Sequence, residues 1–538
     1  MQKLIKTGVA TAISLLLINP SFAAQIPAGV ELAQKQEVVR GNGDEVPTLD
    51  PSMSSDTASS RVISDMFEGL VTEDQQGNII PALATKWEVS DDGKTYTFHL
   101  RDANWSDGSP IKASDFVFAF KRVVNPITGA PYSWYLEMAG IKNAKDITKG
   151  SKNIDTLGVK ALDDHTFQIE LERSVPYFTK MLAHESTFAV PEAAVKKFGQ
   201  AWTKPGNIVT SSAYILSDWV INEKVELVRN KAYWNDKDTV INKVTYLPIS
   251  DVNAEYNRFR TGEMDITSVV PLELYQTIKK ERPDQLLTMP SLGTYYYLFN
   301  LDKKPFDDPR VRKALAYSID RDVIAERILG QGQIPAYTNT PPAVAGFKVP
   351  DLDWAKMSQK DRIAKAKQLL EEAGYNKSNP LKFELEYNTS EAHKKLAIVM
   401  GSMWKKNLGA DVTIANQEWK TFIQALADKN FSVARYAWMG DYNEASTFLS
   451  YFDSAGMNYG GWHDADYDKA MADASQTQDE AKRLSYYQHA EQIFANDMPA
   501  IPVYFYTRSV LKNEALGGFS ATNASDRRYT RDMYMMKK

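Results

Sequence analysis

Residues 381–438 switch twice between a two-residue and a 3.6-residue hydrophobic period, and that alternation restricts the fold more than any other stretch of the chain. The run 381–387 alternates apolar and polar residues, the pattern of a half-buried strand. Asn388, Thr389 and Ser390 then offer caps for a helix predicted over 391–408, which Gly409 ends. Val412, Thr413 and Ile414 read as the next strand, 419–427 as a helix and 431–438 as a third strand. Strand–helix–strand–helix–strand implies a parallel sheet with helices packed on it. A second such run covers 240–280, with strands expected at 244–247 and 265–270 and helices at 253–260 and 272–279. Two α/β units predict two lobes with a cleft between them, and ligand sites in such sheets lie beyond the carboxyl ends of strands. Segment 87–122 differs: 95–100 reads as an edge or hairpin strand, 106–110 as a turn and Asp115 as near a helix start. It reads as a smaller α+β insertion.

The third strand of the first unit runs through Trp438 into Asp441, within RYAWMGDYNEASTF at 435–448. That places one carboxylate at the mouth of a cleft, beside a strand edge, where it can accept the ammonium of a ligand whose backbone pairs with the strand. Taken alone, a loop Asp is more commonly a solvated surface acid.

The N-terminus carries the features of an export signal. Lys3 and Lys6 precede an apolar run at 9–18, and Ser21-Phe22-Ala23 is a small-x-small cleavage site, so residues 1–23 are expected to be removed. No later stretch is long and apolar enough for a transmembrane helix, and the product is expected in the periplasm. The 538 residues are 43% hydrophobic and 24% charged, enough for several lobes. The formal charge of −5 gives no electrostatic reason to bind nucleic acid or anionic lipid. There is no cysteine, which excludes disulfides, thiol catalysis and thiolate metal sites. The 11 Trp and 27 Tyr suit a binding cleft and a large core equally.

Reactive constellations are sparse. The six histidines (His99, His165, His184, His393, His463 and His489) show no metalloprotease spacing and no tight acid cluster suited to zinc. No nucleophile elbow or P-loop is present, and Gly330-Gln331-Gly332 lacks the third glycine of a dinucleotide site. Asp91-Asp92 and Asp307-Asp308 read as solvated turns. No cofactor and no enzymatic activity are expected. A triad assembled from distant residues has no positive support.

Ten blocks carry a resemblance spread over the whole chain: PALA at 81–84, WSDG at 105–108, DFV at 115–117, TKPGNI at 203–208, GEMDI at 262–266, TYYY at 294–297, PFDDPRVR at 305–312, NQEWKT at 416–421, DYNE at 441–444 and PAIPVY at 499–504. In order and spacing the chain resembles the periplasmic oligopeptide-binding proteins of ABC importers (solute-binding protein family 5, peptide and murein-peptide branch). The resemblance implies an α/β fold, a two-lobed cluster C clamp with an additional α+β subdomain. One lobe would comprise 24–67, 192–292 and 509–538, the insertion 68–191 and the other lobe 293–508. It implies a monomeric receptor that encloses short peptides as extended strands and hands them to an inner-membrane permease complex with ATPase subunits. Main-chain pairing is indifferent to side-chain identity, and hydrated pockets tolerate many sequences.

By position, Asp441 matches the acid that holds the peptide ammonium, with Tyr132 at the same end. Arg435 and His393 match cations that meet the ligand carboxylate. Backbone at Ser55, Asp56 and Thr57, and at Ala437, Trp438 and Met439, would flank the peptide. Tyr296 and Trp419 would line pockets, although plain core aromatics are an equal reading of both. Several positions depart from the family. Its paired cysteines fall at Gly293 and Met439. Two basic positions appear as Ala316 and Leu426, and a glycine as Ser212. The cleft is therefore expected to have fewer cations at its carboxylate end and a shifted length preference. A murein-peptide receptor of the same fold is the alternative. A secreted hydrolase or a chaperone for exported chains is the alternative from another class, distinguished by a catalytic constellation or a large exposed apolar patch.

Overall fold

The strand Leu286–Phe299 shows how the sequence sets the architecture of the larger lobe. Tyr295, Tyr297 and Phe299 enter one apolar cluster with Leu315 and Trp404, while Leu292, Tyr296 and Leu298 enter another with Phe422 and Phe494. Alternate residues of a strand point to opposite faces, so a run apolar at every position is a strand buried on both sides. The computed structural model describes residues 24–417, 419–454 and 456–537, and the expected export signal over 1–23 lies outside them.

Leu286–Phe299 is central in a six-stranded sheet ordered Ile334–Pro335, Ala500–Leu511, Leu286–Phe299, Val433–Met439, Lys382–Asn388, Asp411–Gln417. The alternating unit forms as its periodicity predicts, with helices Glu391–Leu408 and Trp419–Ala427 between its strands. Gly409 ends the first helix at φ 72°, a left-handed conformation that glycine adopts without a Cβ clash. Lys382–Asn388 runs parallel to both of its neighbours. The sheet as a whole is mixed, however, and corrects the parallel expectation. The long strands Leu286–Phe299 and Ala500–Leu511 are antiparallel to one another, and the first is antiparallel to Val433–Met439.

The second unit is likewise mixed. Its four strands are ordered Glu37–Gly41, Lys243–Leu247, Lys224–Arg229, Tyr214–Val220, and only the first pair is parallel. The helix Val252–Thr261 forms as expected, and 272–279 becomes a short 3₁₀ turn, Leu272–Leu274, leading into the helix Tyr275–Glu281. The strand expected at 265–270 does not form. Ile266 makes isolated bridges to Arg40 and Lys512, and side chains take over the ladder. Ser268 donates through N and Oγ to Glu255 (2.9 and 2.8 Å), and Thr267 Oγ1 accepts from Leu511 N at 2.8 Å. Ser and Thr compete with the backbone for such bonds, which periodicity does not reveal.

The insertion holds an antiparallel sheet ordered Ala84–Val89, Thr95–Leu100, Thr166–Glu170, Val159–Asp163. Thr95–Leu100 is a hairpin strand as expected, but it lies inside the sheet and not at its edge. One apolar cluster joins this sheet, the helix Ala113–Val124 and the four-stranded mixed sheet. Among the described residues no helix is long and apolar enough to cross a membrane.

Candidate functional site

The strand Val433–Met439 is paired along its whole length on one edge, from Phe299 opposite Val433 to Gly293 opposite Met439. On its other edge, Lys382–Asn388 reaches only Val433 and Ala434. Among the described residues nothing pairs that second edge over 435–439, so its N–H and C=O groups are open to an incoming strand. Ala437 and Trp438 are half-buried and Met439 is exposed.

Beyond the strand, Gly440 N donates to Leu292 O (2.8 Å). A Cβ at Gly440 would lie 3.0 Å from Thr447 Cγ2 and 3.2 Å from Phe448 Cζ, so the small residue lets the chain turn tightly there. Three buried residues then fix the loop. Tyr442 stacks on Tyr177 of the insertion (5.1 Å, 5° between planes). Asn443 Oδ1 accepts from Ala345 N at 2.8 Å. Glu444, fully buried, pairs with Lys180 of the insertion and with Arg483 Nε (2.8 Å).

Asp441 is held by this loop, and its N–H donates to Thr447 Oγ1 (3.3 Å). Its carboxylate has neither an ion pair nor a donor from another residue among the described residues, and burial pushes its pKa up to about 6. A half-buried carboxylate without a counter-charge is a receptor for a cation. Tyr132 stacks on His184 (4.6 Å, 21°). Its hydroxyl pKa is raised first by burial and then by the charge of Asp441, which lies within electrostatic range.

Arg435, at the other end of the open edge, is 8% exposed. It donates to Asn388 Oδ1 (3.2 Å) and Tyr506 Oη (3.1 Å) and lies 4.7 Å over the Tyr295 ring. No carboxylate pairs with it among the described residues, and its Nε is buried without a partner. His393 lies beside it. Burial, then the charge of Arg435, push the imidazole down to about 4. His393 is therefore neutral at pH 7 in this state, in contrast to the cation expected at that position.

The other expected positions fall as follows. Ser55 and Thr57 are exposed and Asp56 is half-buried. Asp56 caps the helix Thr57–Met66, accepting from Ser59 N at 2.8 Å, and its own backbone is extended. No hydrogen bond joins this segment directly to 437–439. Tyr296 is fully buried among Tyr436, Tyr451 and Phe452, behind the strand surface. The side chain of Trp419 lies outside the described residues. Ala316 and Leu426 correct an expectation. Both are fully buried in apolar clusters, so neither position faces a cleft and neither bears on its cation count. Ser212 is also fully buried, and its Oγ accepts from Arg531 at 3.3 Å. Gly293 and Met439 do stand directly opposite, and Met439 Sδ fills the space over the glycine, 2.5 Å from where a Cβ would be. Sequence reasoning missed the anchors Tyr177, Lys180 and Arg483. They lie far from Asp441 in the chain, and only the block 441–444 signalled that the loop needed holding.

A clamp fold with an unpaired strand edge and a lone charge at each end defines an extracellular solute receptor. The family description "Bacterial extracellular solute-binding proteins, family 5 Middle" matches residues 78–460, and the chain belongs to that family. It is similar to the periplasmic oligopeptide-binding protein OppA of Escherichia coli (46% identity, covering 100% of this chain and 99% of that one). Among solved structures it is similar to the murein tripeptide-binding protein MppA in its unliganded open form, with a TM-score of 0.90, 44% identity and coverage of 95% and 99%. It is also similar to Haemophilus influenzae OppA in complex with RPPGFSPFR, with a TM-score of 0.73, 42% identity and coverage of 94% and 100%. The likeness is greater to the open form than to the peptide complex.

Proposed function

We propose that this chain is a periplasmic receptor that encloses short peptides in extended form and delivers them to an ABC importer. The carrying observation is the open edge of 435–439 with an unpaired carboxylate, Asp441, past one end and an unpaired guanidinium, Arg435, at the other. A peptide with its ammonium at Asp441 and its carboxylate toward Arg435 runs antiparallel to the strand. The Cα positions of these two residues are separated by about 20 Å of extended chain, which their side chains shorten from both ends, so peptides of about three to five residues fit. Tyr132 lines the ammonium end, and Ser55, Asp56 and Thr57 supply the second flank when the lobes close. The lobes would comprise 24–67, 192–292 and 509–538 on one side and 293–508 on the other, with 68–191 inserted. The register break between Pro290 and Thr294, where the two long strands cross, supports a hinge there. Family membership and the name of the E. coli relative support the reading, with residues 1–23 as the export signal.

Mass spectrometry of ligand released from purified, unfolded protein tests it. Short peptides of mixed sequence are expected. A single murein fragment would establish the murein-peptide alternative, which the likeness to MppA keeps in view. Calorimetry with free and N-acetylated forms of one peptide tests the orientation, and equal affinities would remove Asp441 from its role.

A further inference from the structure

Three arginines converge on one carboxylate behind the helix Thr57–Met66. Arg61 comes from that helix, Arg508 from the long strand Ala500–Leu511 and Arg528 from the C-terminal loop, and all three pair with Asp526. Each guanidinium brings about five N–H donors, whereas a carboxylate offers about four acceptor sites. Arg508 also bonds Ser268 O, and Arg528 bonds Ser520 O and Asn523 O. Arg61 has Asn42 O at 3.1 Å, but its Nε is buried with no partner.

The neighbouring charges are mixed in sign, and Glu255 acts electrostatically on Arg61. Arg527 faces Glu73 and Glu185, each at 3.7 Å, and Arg40 faces Asp65 at 3.8 Å. Arg61, Arg508 and Arg528 thus share one carboxylate, on side chains only 17%, 18% and 4% exposed. Burial and then the charge of Arg40 push Arg61 down to about 10, and the same causes, with Arg61 added, do so for Arg528. Beside the cluster lies a cavity of about 80 Å³, walled by hydroxyls of Thr57, Ser60, Ser64 and Ser525, by the guanidiniums of Arg61, Arg527 and Arg528, and by one carboxylate, Asp526. That is room for about two waters, or for one tetrahedral oxyanion. Three guanidiniums against one carboxylate in the wall, with Arg61 Nε and Ser525 Oγ buried without a partner, match the acceptor geometry of an oxyanion.

We propose that this cavity binds a small oxyanion of the phosphate or sulfate class. A bound anion ties the helix Thr57–Met66 to the strand Ala500–Leu511 through Arg61, Arg528 and the shared Asp526. Thr57 belongs both to the cavity wall and to the segment assigned above to the peptide backbone, so the site sits between the ligand cleft and the strand crossing. A carboxylate on a ligand side chain has the same chemistry, and the test separates the two sources.

Thermal unfolding of the signal-free chain without peptide, at constant ionic strength, is followed while inorganic phosphate or sulfate replaces chloride. A saturable rise in Tm of roughly 2–4 °C is expected. Arg61→Gln should lose the saturable response. No rise, or an equal and unsaturable rise in both proteins, overturns the proposal. If Arg61→Gln does not fold, crystals of the wild type soaked in selenate decide: anomalous density between Arg61 and Arg528 upholds the site and an empty cavity refutes it. Calorimetry with peptides differing only in Glu or Gln, with and without phosphate, identifies the source. Phosphate weakening only the Glu peptide overturns the inorganic anion as the resident ligand, and equal effects uphold it. Because the unfolding experiment uses no peptide, its outcome is independent of the receptor assignment.

Discussion

Asp441 ionises only near pH 6, so its carboxylate opposes folding wherever it is charged. The native state takes up the proton first, and the unfolded carboxyl titrates near 3.9. The contribution of Asp441 to stability is therefore highest below about pH 4 and declines as pH rises through 6, by about 1–3 kcal/mol. A ligand ammonium reverses the sign, because it pairs with the ionised form. Peptide affinity should be level above pH 7 and fall about tenfold per pH unit below 6. Asp441→Asn should raise the Tm of the unliganded protein at pH 7 and weaken peptide binding by several kcal/mol, as loss of an enclosed charge partner does. Calorimetry across pH 5–8 and thermal unfolding check both signs, and a destabilised variant would contradict the account. At the far end the two basic residues should separate. Arg435→Met should cost about 2–5 kcal/mol of affinity, whereas His393→Ala should cost under about 1 kcal/mol at pH 7, its ring being neutral. These residues were singled out by their position in the sequence. The neutrality of His393 was not legible there, because it depends first on burial and then on a guanidinium brought from 42 residues away by strand packing.

At the scale of elements, the periodicity of 381–438 located every strand and helix of that unit, because each carries its own apolar face. What it left undetermined was strand direction across the sheet, since Leu286–Phe299 and Ala500–Leu511 lie far away in the chain and side-chain alternation is the same in parallel and antiparallel pairs. The missing strand at 265–270 failed for a local reason, the side-chain bonds of Thr267 and Ser268. The loop after Val433–Met439 depends on a buried charge group that spans insertion and lobe. Glu444→Gln removes the buried anion between Lys180 and Arg483, leaving both cations only the more distant, exposed Glu480, and should lower unfolding free energy by about 3 kcal/mol. Denaturant titration reads this directly. A companion loss of peptide affinity is expected, because the loop that aims Asp441 loses its tether. Unchanged affinity would show that Tyr442 and Asn443 hold the loop without it.

For the whole molecule, likeness to an open unliganded relative leads to the expectation that a ligand is enclosed by a rotation of lobes. Small-angle scattering should show a smaller radius of gyration with saturating peptide, and no change would contradict closure. The mixed sheets, the cleft and the receptor class were foreseeable only in part. Two α/β units announced two lobes, while the opening between them is a relation between lobes that residue spacing does not encode. The open edge at 435–439 has one more consequence. An unsatisfied strand border is a template on which any extended chain can add, including another copy or an unfolded neighbour. Here it is about five residues long and stands between two charges of opposite sign, so a segment lacking both free termini leaves at least one of them uncompensated. The charges that would hold a ligand thus also act as gatekeepers against self-association, and the empty receptor, more than the filled one, is the form they protect.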